Sequence, residues 1–248
     1  MIYNGAHANG IPKKTGVETN MVNSQSFSYN ALKNDNAYIG FKYGAANQST
    51  YALTHTQDNP SNAYTQITNW YSTNIASQGS TITDKIVQNA MYCGDRTAYT
   101  DSNATTIGGG YGTQTTYYGA WQRVGNTPAN YTPSLSCQNL MGGGVATSSD
   151  QYIIPMGMIT ADEVSFAGGK SETTNSSYWL YTNENYWTMS PYAFASSNAR
   201  GFYIDSAGRL GSPYVYLENI GLRGVIALKS DAKVSSGDGT MANPYIVS

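Results

Sequence analysis

The spacing of apolar residues changes character several times along this chain. Across residues 37–43, Ile39, Phe41 and Tyr43 alternate with Tyr38, Gly40 and Lys42, the period of a half-buried strand. Over residues 63–77 the period lengthens. Ile67, Trp70, Tyr71 and Ile75 recur at three- and four-residue spacing and share one helical face. Asn59-Pro60-Ser61-Asn62 places turn and N-cap chemistry just ahead of that helix. A shorter helix is predicted over residues 82–90. Thr160-Ala161-Asp162-Glu163 then has the form of a capping box, with Gly168-Gly169 supplying a left-handed stop.

Beyond that helix the pattern predicts strands over residues 179–181, 186–189, 199–204, 222–228 and 245–247, with a turn at Ser236-Gly237-Asp238-Gly239. Residues 98–150 are rich in Gly, Ser, Thr and Asn and read as long ordered loops. Their Gly runs, 108–110 and 142–144, lack the strand-to-helix setting that a phosphate cradle needs. Residues 1–36 read as a polar lead-in and residues 37–248 as one domain, with no internal repeat. The expected class is α+β: short antiparallel strands in a mixed arrangement, two or three helices, and long ordered loops.

Composition narrows the range of partners. Charged residues make up 11% of the chain and the formal net charge is −2, so no basic face exists for a phosphate backbone and nucleic acid is not an expected partner. No stretch reaches the length of a membrane span, so no membrane contact is expected from these residues. The start, Met1-Ile2-Tyr3-Asn4-Gly5, lacks the basic and apolar regions of a signal peptide. An extracellular or cell-surface location would therefore need an export signal or anchor outside this sequence.

Tyrosine is the outlier, with 22 Tyr against 5 Phe. Its rigid ring and hydrogen-bonding tip suit binding loops, and equally suit half-exposed strand positions. The two readings stand level for any single Tyr. Cys93 and Cys137 fit one disulfide closing a loop of about 45 residues, worth about 4 kcal/mol in the chain-entropy model. Two unrelated buried thiols are the alternative.

Catalytic parts are missing. There is no nucleophile elbow, no HExxH, no Walker motif and no CxxC. His7 and His55 read as solvated, and helix capping accounts for both Asp162 and Glu163. Asp238, one acid in a Gly turn, is too little for calcium. No metal, no cofactor and no enzymatic activity are expected.

The C-terminal third carries longer motifs. Pro155-Met156-Gly157-Met158-Ile159-Thr160-Ala161-Asp162-Glu163 precedes Tyr186-Trp187-Thr188-Met189-Ser190-Pro191. Gly221-Leu222-Arg223-Gly224-Val225-Ile226-Ala227-Leu228-Lys229-Ser230-Asp231 leads to Gly237-Asp238-Gly239-Thr240 and Asn243-Pro244-Tyr245-Ile246-Val247. This pattern resembles bacterial surface proteins with a C-type-lectin or formylglycine-generating-enzyme-like fold, some of them pilin-like. Tyr92-Cys93-Gly94-Asp95-Arg96, Thr116-Tyr117-Tyr118-Gly119 and Cys137 extend the resemblance to residues 37–248. Gly224 departs from the family's usual Pro, and no N-terminal anchoring helix is present. The reactive cysteines of formylglycine-generating enzymes also lack counterparts near the C-terminal core, so the resemblance does not carry that activity across.

In proteins of this fold, diversity-generating retroelements can rewrite a segment ahead of the last core strands. Changing the adenines of an Asn-type codon cannot yield Lys, Glu, Gln, Met or Trp. Residues 192–220 contain only Glu218 of these types, whereas the chain holds 35 in 248, which would give about four over this length. The resemblance thus implies a variable segment at residues 192–219. Its candidate ligand-binding positions are Tyr192, Ala193, Ala195, Ser197, Asn198, Gly201, Tyr203, Asp205, Arg209, Ser212, Tyr214, Tyr216, Glu218 and Asn219. Phe194, Phe202, Ile204, Leu210 and Val215 are assigned to the scaffold, one strand face holding the core and the other varying. The expected partner is a protein or glycan on another cell or surface, and assembly into a surface fibre is a further expectation. Two other functions compete: a structural pilin-like subunit, and an inactive relative of formylglycine-generating enzymes.

Overall fold

A long β-hairpin occupies the middle of the molecule: β6 (Tyr186–Ala195) and β7 (Asn198–Ile204) pair antiparallel. The structure is a computed structural model that describes residues 28–99, 109–125, 131–137, 151–238, 243 and 245–248. β4 (Thr116–Tyr117) joins the outer edge of β6, and β8 (Leu210–Gly211) joins β7, giving a four-stranded antiparallel sheet ordered β4-β6-β7-β8. Three two-stranded antiparallel pairs surround it: β1 (Lys42–Tyr43) with β2 (Asn59–Pro60), β3 (Met91–Cys93) with β5 (Gln151–Ile153), and β9 (Val234–Ser236) with β10 (Ile246–Val247). The α+β class is as expected. Four short α-helices are described: α1 (Tyr51–Thr54), α2 (Asn62–Asn74), α3 (Ser80–Thr83) and α4 (Ala161–Ala167). None is long and apolar enough to cross a membrane.

Both faces of the central sheet are covered. Trp187, Met189 and Ala199 belong to a cluster with Tyr29, Ile39, Phe41, Ile67 and Leu222. Tyr186, Phe202, Ile204 and Leu210 belong to another with Val124, Ile159, Val164 and Leu180. This two-sided burial explains why β6 reads as a nearly continuous apolar run. It also corrects the expectation of one free face, because Tyr203 is half-buried against Trp187.

Pro191 interrupts the ladder, and the register shifts on either side of it. The bulge turns the Met189 amide to the Ile159 carbonyl at 2.8 Å, while Ser190 Oγ accepts the Ala161 amide at 2.9 Å. The hairpin thereby fixes the start of α4. Thr160 Oγ1 accepts from the Glu163 amide, Glu163 Oε2 accepts from the Thr160 amide, and Gly168 ends the helix at φ 115°. These ends are as the sequence predicts.

α2 begins at its predicted cap. Ser61 Oγ accepts from the Tyr64 amide and donates to the Phe41 carbonyl, so one hydroxyl starts the helix and ties it to the residue just before β1. Ile67 and Tyr71 are buried and Trp70 and Ile75 half-buried, the predicted face.

Other elements differ from expectation. Within residues 37–43 only β1 is strand, because Asp35 caps a 3₁₀ turn at Asn36–Tyr38 and Gly40 takes φ 103°. Ile39 and Phe41 are nevertheless buried as their alternation requires. The helix expected over residues 82–90 ends after Thr83, where Val87 donates to the Ala227 carbonyl and Lys229 to that of Lys85. Residues 222–228 form no continuous strand, only isolated bridges from Val225 to Gly157 and from Leu228 to Ile86. Residues 179–181 are turn, with Leu180 buried and Trp179 68% exposed. Each case is a short apolar run whose pairing is set by distant backbone. The Gly runs 108–110 and 142–144 fall mostly outside the described residues.

Part of the polar lead-in is also core. Tyr29 packs edge-on against Trp187 at 5.3 Å, and the Ala199 amide donates to the Lys33 carbonyl at 2.7 Å. Cys93 and Cys137 form a disulfide with Cα atoms 5.5 Å apart, which settles the pairing question and suits an oxidising compartment.

Candidate functional site

Pro213 to Tyr216 run beside β7, with the Gly201 amide donating to the Pro213 carbonyl and Val215 donating to that of Ala199. Tyr214 bridges Arg200, and the chain then turns, the Leu217 amide donating to the Tyr214 carbonyl at 3.0 Å. Val215 is buried, and Tyr214 and Tyr216 emerge together with parallel rings 5.6 Å apart. Arg200 lies across from Tyr214 and sits between two rings, 5.2 Å from Tyr214 and 5.3 Å from Tyr192. Its Nε donates to the Ser212 carbonyl at 2.8 Å, which fixes the guanidinium plane. Lys33 Nζ sits 3.7 Å over Tyr216.

The row continues at the other end. Tyr192 meets Tyr117 edge-on at 6.3 Å, Tyr117 packs on Trp121 at 4.3 Å, and Trp121 touches Tyr99 at 5.7 Å. Lys33, Tyr216, Tyr214, Arg200, Tyr192, Tyr117, Trp121 and Tyr99 therefore form one stripe, and all eight are half-buried. It contains two cations and no carboxylate. Its rings are rigid and amphipathic, and its cations are held by π-faces and a carbonyl, so little side-chain freedom remains to be lost on binding.

The predicted positions divide among several places. Tyr192, Tyr214 and Tyr216 are in the stripe, and Ser212 anchors Arg200. Ala195, Ser197 and Asn198 lie at the hairpin tip, where Ser196 and Ser197 both take positive φ, 52° and 61°. Tyr203, Asp205, Arg209 and Ser212 border a shallow depression of about 360 Å³ with Glu172 and Leu210. Burial, with Asp205 adding to it, raises the Tyr203 hydroxyl pKa, so the group stays a donor at neutral pH. Glu218 and Asn219 are exposed on a corner after the stripe.

Three predicted positions do not present a side chain to a ligand. Ala193 is fully buried, and Gly201 is buried under Trp187. Asp205 is only 8% exposed and spends both oxygens internally, Oδ1 on the Ala207 and Arg209 amides and Oδ2 on Arg209 Nε at 2.7 Å. It organises a turn. Lys33, Tyr99, Tyr117, Trp121 and Arg200 were not in the predicted set. Arg200 stands inside the variable segment among tyrosines, a usable signal, but Lys33 has none, because the Ala199 amide that bonds its carbonyl lies 166 residues further along the chain.

Two polar residues also change role. His55 is 1% exposed, not solvated, and its ring lies against Tyr51 and Tyr118. Nε2 is 2.7 Å from the Gly110 carbonyl, which requires the proton on Nε2. Burial, then the Arg96 charge, lowers the pKa well below the ordinary histidine range, although the Gly110 carbonyl opposes this, so the ring is neutral. Asp162 is not a capping residue: both its oxygens bind Arg123, at 2.7 and 2.8 Å. His7 lies outside the described residues.

Among the described residues no cluster of three or more His, Cys, Asp or Glu could hold a metal ion. A cavity of about 380 Å³ lies beside the disulfide, lined by Cys93, Cys137, Asp95, Arg123 and Asp162 among others. No protein-family model, curated protein sequence or solved structure matches this chain.

Proposed function

We propose that this chain is an extracellular ligand-binding or adhesion module on a C-type-lectin-like scaffold, and that its residues 192–219 form a variable surface of the kind diversified by retroelements. The observation that carries the reading is the half-exposed stripe of five tyrosines, one tryptophan, Lys33 and Arg200. Three of its members, with Arg200, come from that segment. Within it, buried Phe194, Ala199, Phe202, Ile204, Leu210 and Val215 alternate with surface positions. Such a segment can change its outer residues while its inner ones keep the sheet. The disulfide is compatible with an extracellular location. The ligand is a protein or glycan surface, and the module acts by binding without catalysis.

The test is a glycan and protein array probed with wild type and with a Tyr192→Ala/Tyr214→Ala/Tyr216→Ala variant. Loss of every hit in a variant that keeps its fold supports the stripe as the site, and unchanged binding removes it. Comparing copies of the gene tests the variable segment separately. Substitutions should concentrate in codons 192–219 at adenine positions, and uniform variation would end the retroelement reading. If no hit appears on any array, the structural pilin-like subunit becomes the better account.

A further inference from the structure

The shallow depression of about 360 Å³ meets the stripe at Arg200, which belongs to both. Arg200 spends its Nε on the Ser212 carbonyl at 2.8 Å, and the rings of Tyr192 and Tyr214 hold its guanidinium between them. Its Nη atoms have no hydrogen-bond or ion-pair partner among the described residues, and they are not shut off from solvent. The Tyr203 and Ser212 hydroxyls are in the same condition. Each residue is half-buried, and each oxygen lacks a partner among the described residues yet stays open to solvent. Tyr203 pairs with Gly211 of β8, where a Cβ would strike the tyrosine ring, so glycine at 211 lets that ring lie against the strand.

The carboxylates lining the depression are Asp205 and Glu172. Asp205 is committed to Arg209 and to two amides. Glu172 is exposed and enters no ion pair among the described residues. It stands in the turn where Lys170 pairs with Thr173, and the Leu210 amide ties that turn to β8 by donating to the Lys170 carbonyl at 3.1 Å. With Asp205 matched by Arg209, Arg200 and Glu172 remain as opposite charges that do not close on each other.

A guanidinium held in place with its Nη edge open suits a carboxylate, which it grips through two parallel hydrogen bonds. Two acids on the same rim disfavour a dianion and leave room for a single negative charge. Tyr203, Ser212 and Glu172 then need hydroxyl partners, the first two as donors or acceptors and Glu172 as an acceptor. Leu210, Gly211 and Pro213 complete the lining and offer an apolar side to a C–H face. One carboxylate and several hydroxyls on a compact ring describe a sugar acid. An acidic peptide side chain would satisfy Arg200 and leave the other groups to water. The volume is at the small end of ligand sites and suits one sugar residue.

We propose that this depression binds a terminal sugar acid of the hexuronate type on a glycan, its carboxylate on Arg200 and its hydroxyls on Tyr203, Ser212 and Glu172. The inference rests on the reading of residues 192–219 as a binding surface and narrows its ligand to an acidic glycan.

NMR titration of the intact, disulfide-bonded chain with sodium D-glucuronate tests this, alongside D-glucuronamide, sodium acetate and sodium phosphate. Saturable shifts are expected with glucuronate. Glucuronamide keeps the ring and loses the charge, and should bind at least about tenfold more weakly, the loss associated with a charged hydrogen bond. Acetate keeps the charge and loses the ring hydroxyls, and should be weaker by a similar factor. Arg200→Lys keeps the charge but not the paired geometry, and should weaken glucuronate about tenfold. Tyr203→Phe and Ser212→Ala each remove one hydroxyl and should weaken it about two- to tenfold. If Arg200→Lys does not fold by circular dichroism, the two hydroxyl variants decide.

Equal binding of acetate would point to acidic peptides and overturn the proposal. A preference for phosphate, equal binding of glucuronamide, shifts that never saturate, or unchanged affinity in the folded variants would do the same. Array hits that the Tyr192→Ala/Tyr214→Ala/Tyr216→Ala variant loses, without any glucuronate binding, would sink this proposal and keep the binding surface.

Discussion

Tyr214 and Tyr216 stack with ring planes 8° apart. The two rings sit at a turn that the Leu217 amide closes on the Tyr214 carbonyl at 3.0 Å, just after Tyr214 bridges Arg200. Val215 between them is buried, so the stack cannot rotate inward without uncovering the core. Arg200 and Lys33 then cap the stack on its two sides. A half-exposed pair of this kind presents edges and hydroxyls to solvent while its faces are already occupied. Recognition through it should therefore depend on rim contacts and hydrogen bonds more than on fresh stacking.

The hairpin tip is held in an unfavourable backbone region. Ser196 and Ser197 both have positive φ, as the central residues of a type I′ turn do, and that turn favours Asn-Gly. Left-handed backbone costs an L-residue about 1–2 kcal/mol. The double variant Ser196→Asn/Ser197→Gly should raise unfolding stability by about 1 kcal/mol in urea titrations, net of the added chain entropy of Gly. A less stable variant would show that the turn is not left-handed.

Gly208 sits in the turn organised by Asp205. It has φ 78°, and a Cβ there would strike the backbone carbonyl oxygen of Asn175. That carbonyl cannot easily retreat, because the Asn175 amide donates to the Ala207 carbonyl at 3.2 Å. Gly208→Ala should cost about 2–4 kcal/mol of stability, from backbone strain plus a rigid clash. Gly79 has φ 86° with nothing near its missing Cβ. With ψ −174° its backbone lies in a region that essentially only Gly adopts, so Gly79→Ala isolates the conformational part, about 1–3 kcal/mol. Equal losses at the two positions would remove the clash argument.

His55 should make stability depend on acidity. Its pKa is lowered in the fold, so the unfolded chain takes up the proton first as pH falls. The contribution is complete above the ordinary histidine pKa of about 6.5. Below it, stability falls by up to about 1.4 kcal/mol per pH unit until the folded ring also protonates. His55→Gln does not titrate and keeps an N–H for the Gly110 carbonyl. Its melting temperature should fall less than that of wild type between pH 7 and pH 5, and parallel curves would refute the buried neutral ring.

Local chemistry is what the sequence made legible. The caps of α2 and α4, the helical face of Ile67 and Tyr71, the burial of Ile39 and Phe41, the hairpin strands and the α+β class each depend on residues within about ten positions of one another. Periodicity and capping report on that range. Tertiary structure decided the rest. It ended the helix at Thr83 so that Val87 could bond to Ala227, and it broke the apolar run after Leu222 into separate bridges. It also buried both faces of the central sheet, drew His55 inside, and assembled the stripe from Lys33, Tyr99, Tyr117, Trp121 and Arg200 around three predicted tyrosines. Those outcomes rest on backbone hydrogen bonds, ring contacts and packing between residues far apart in sequence, and such pairings leave no period in either segment alone.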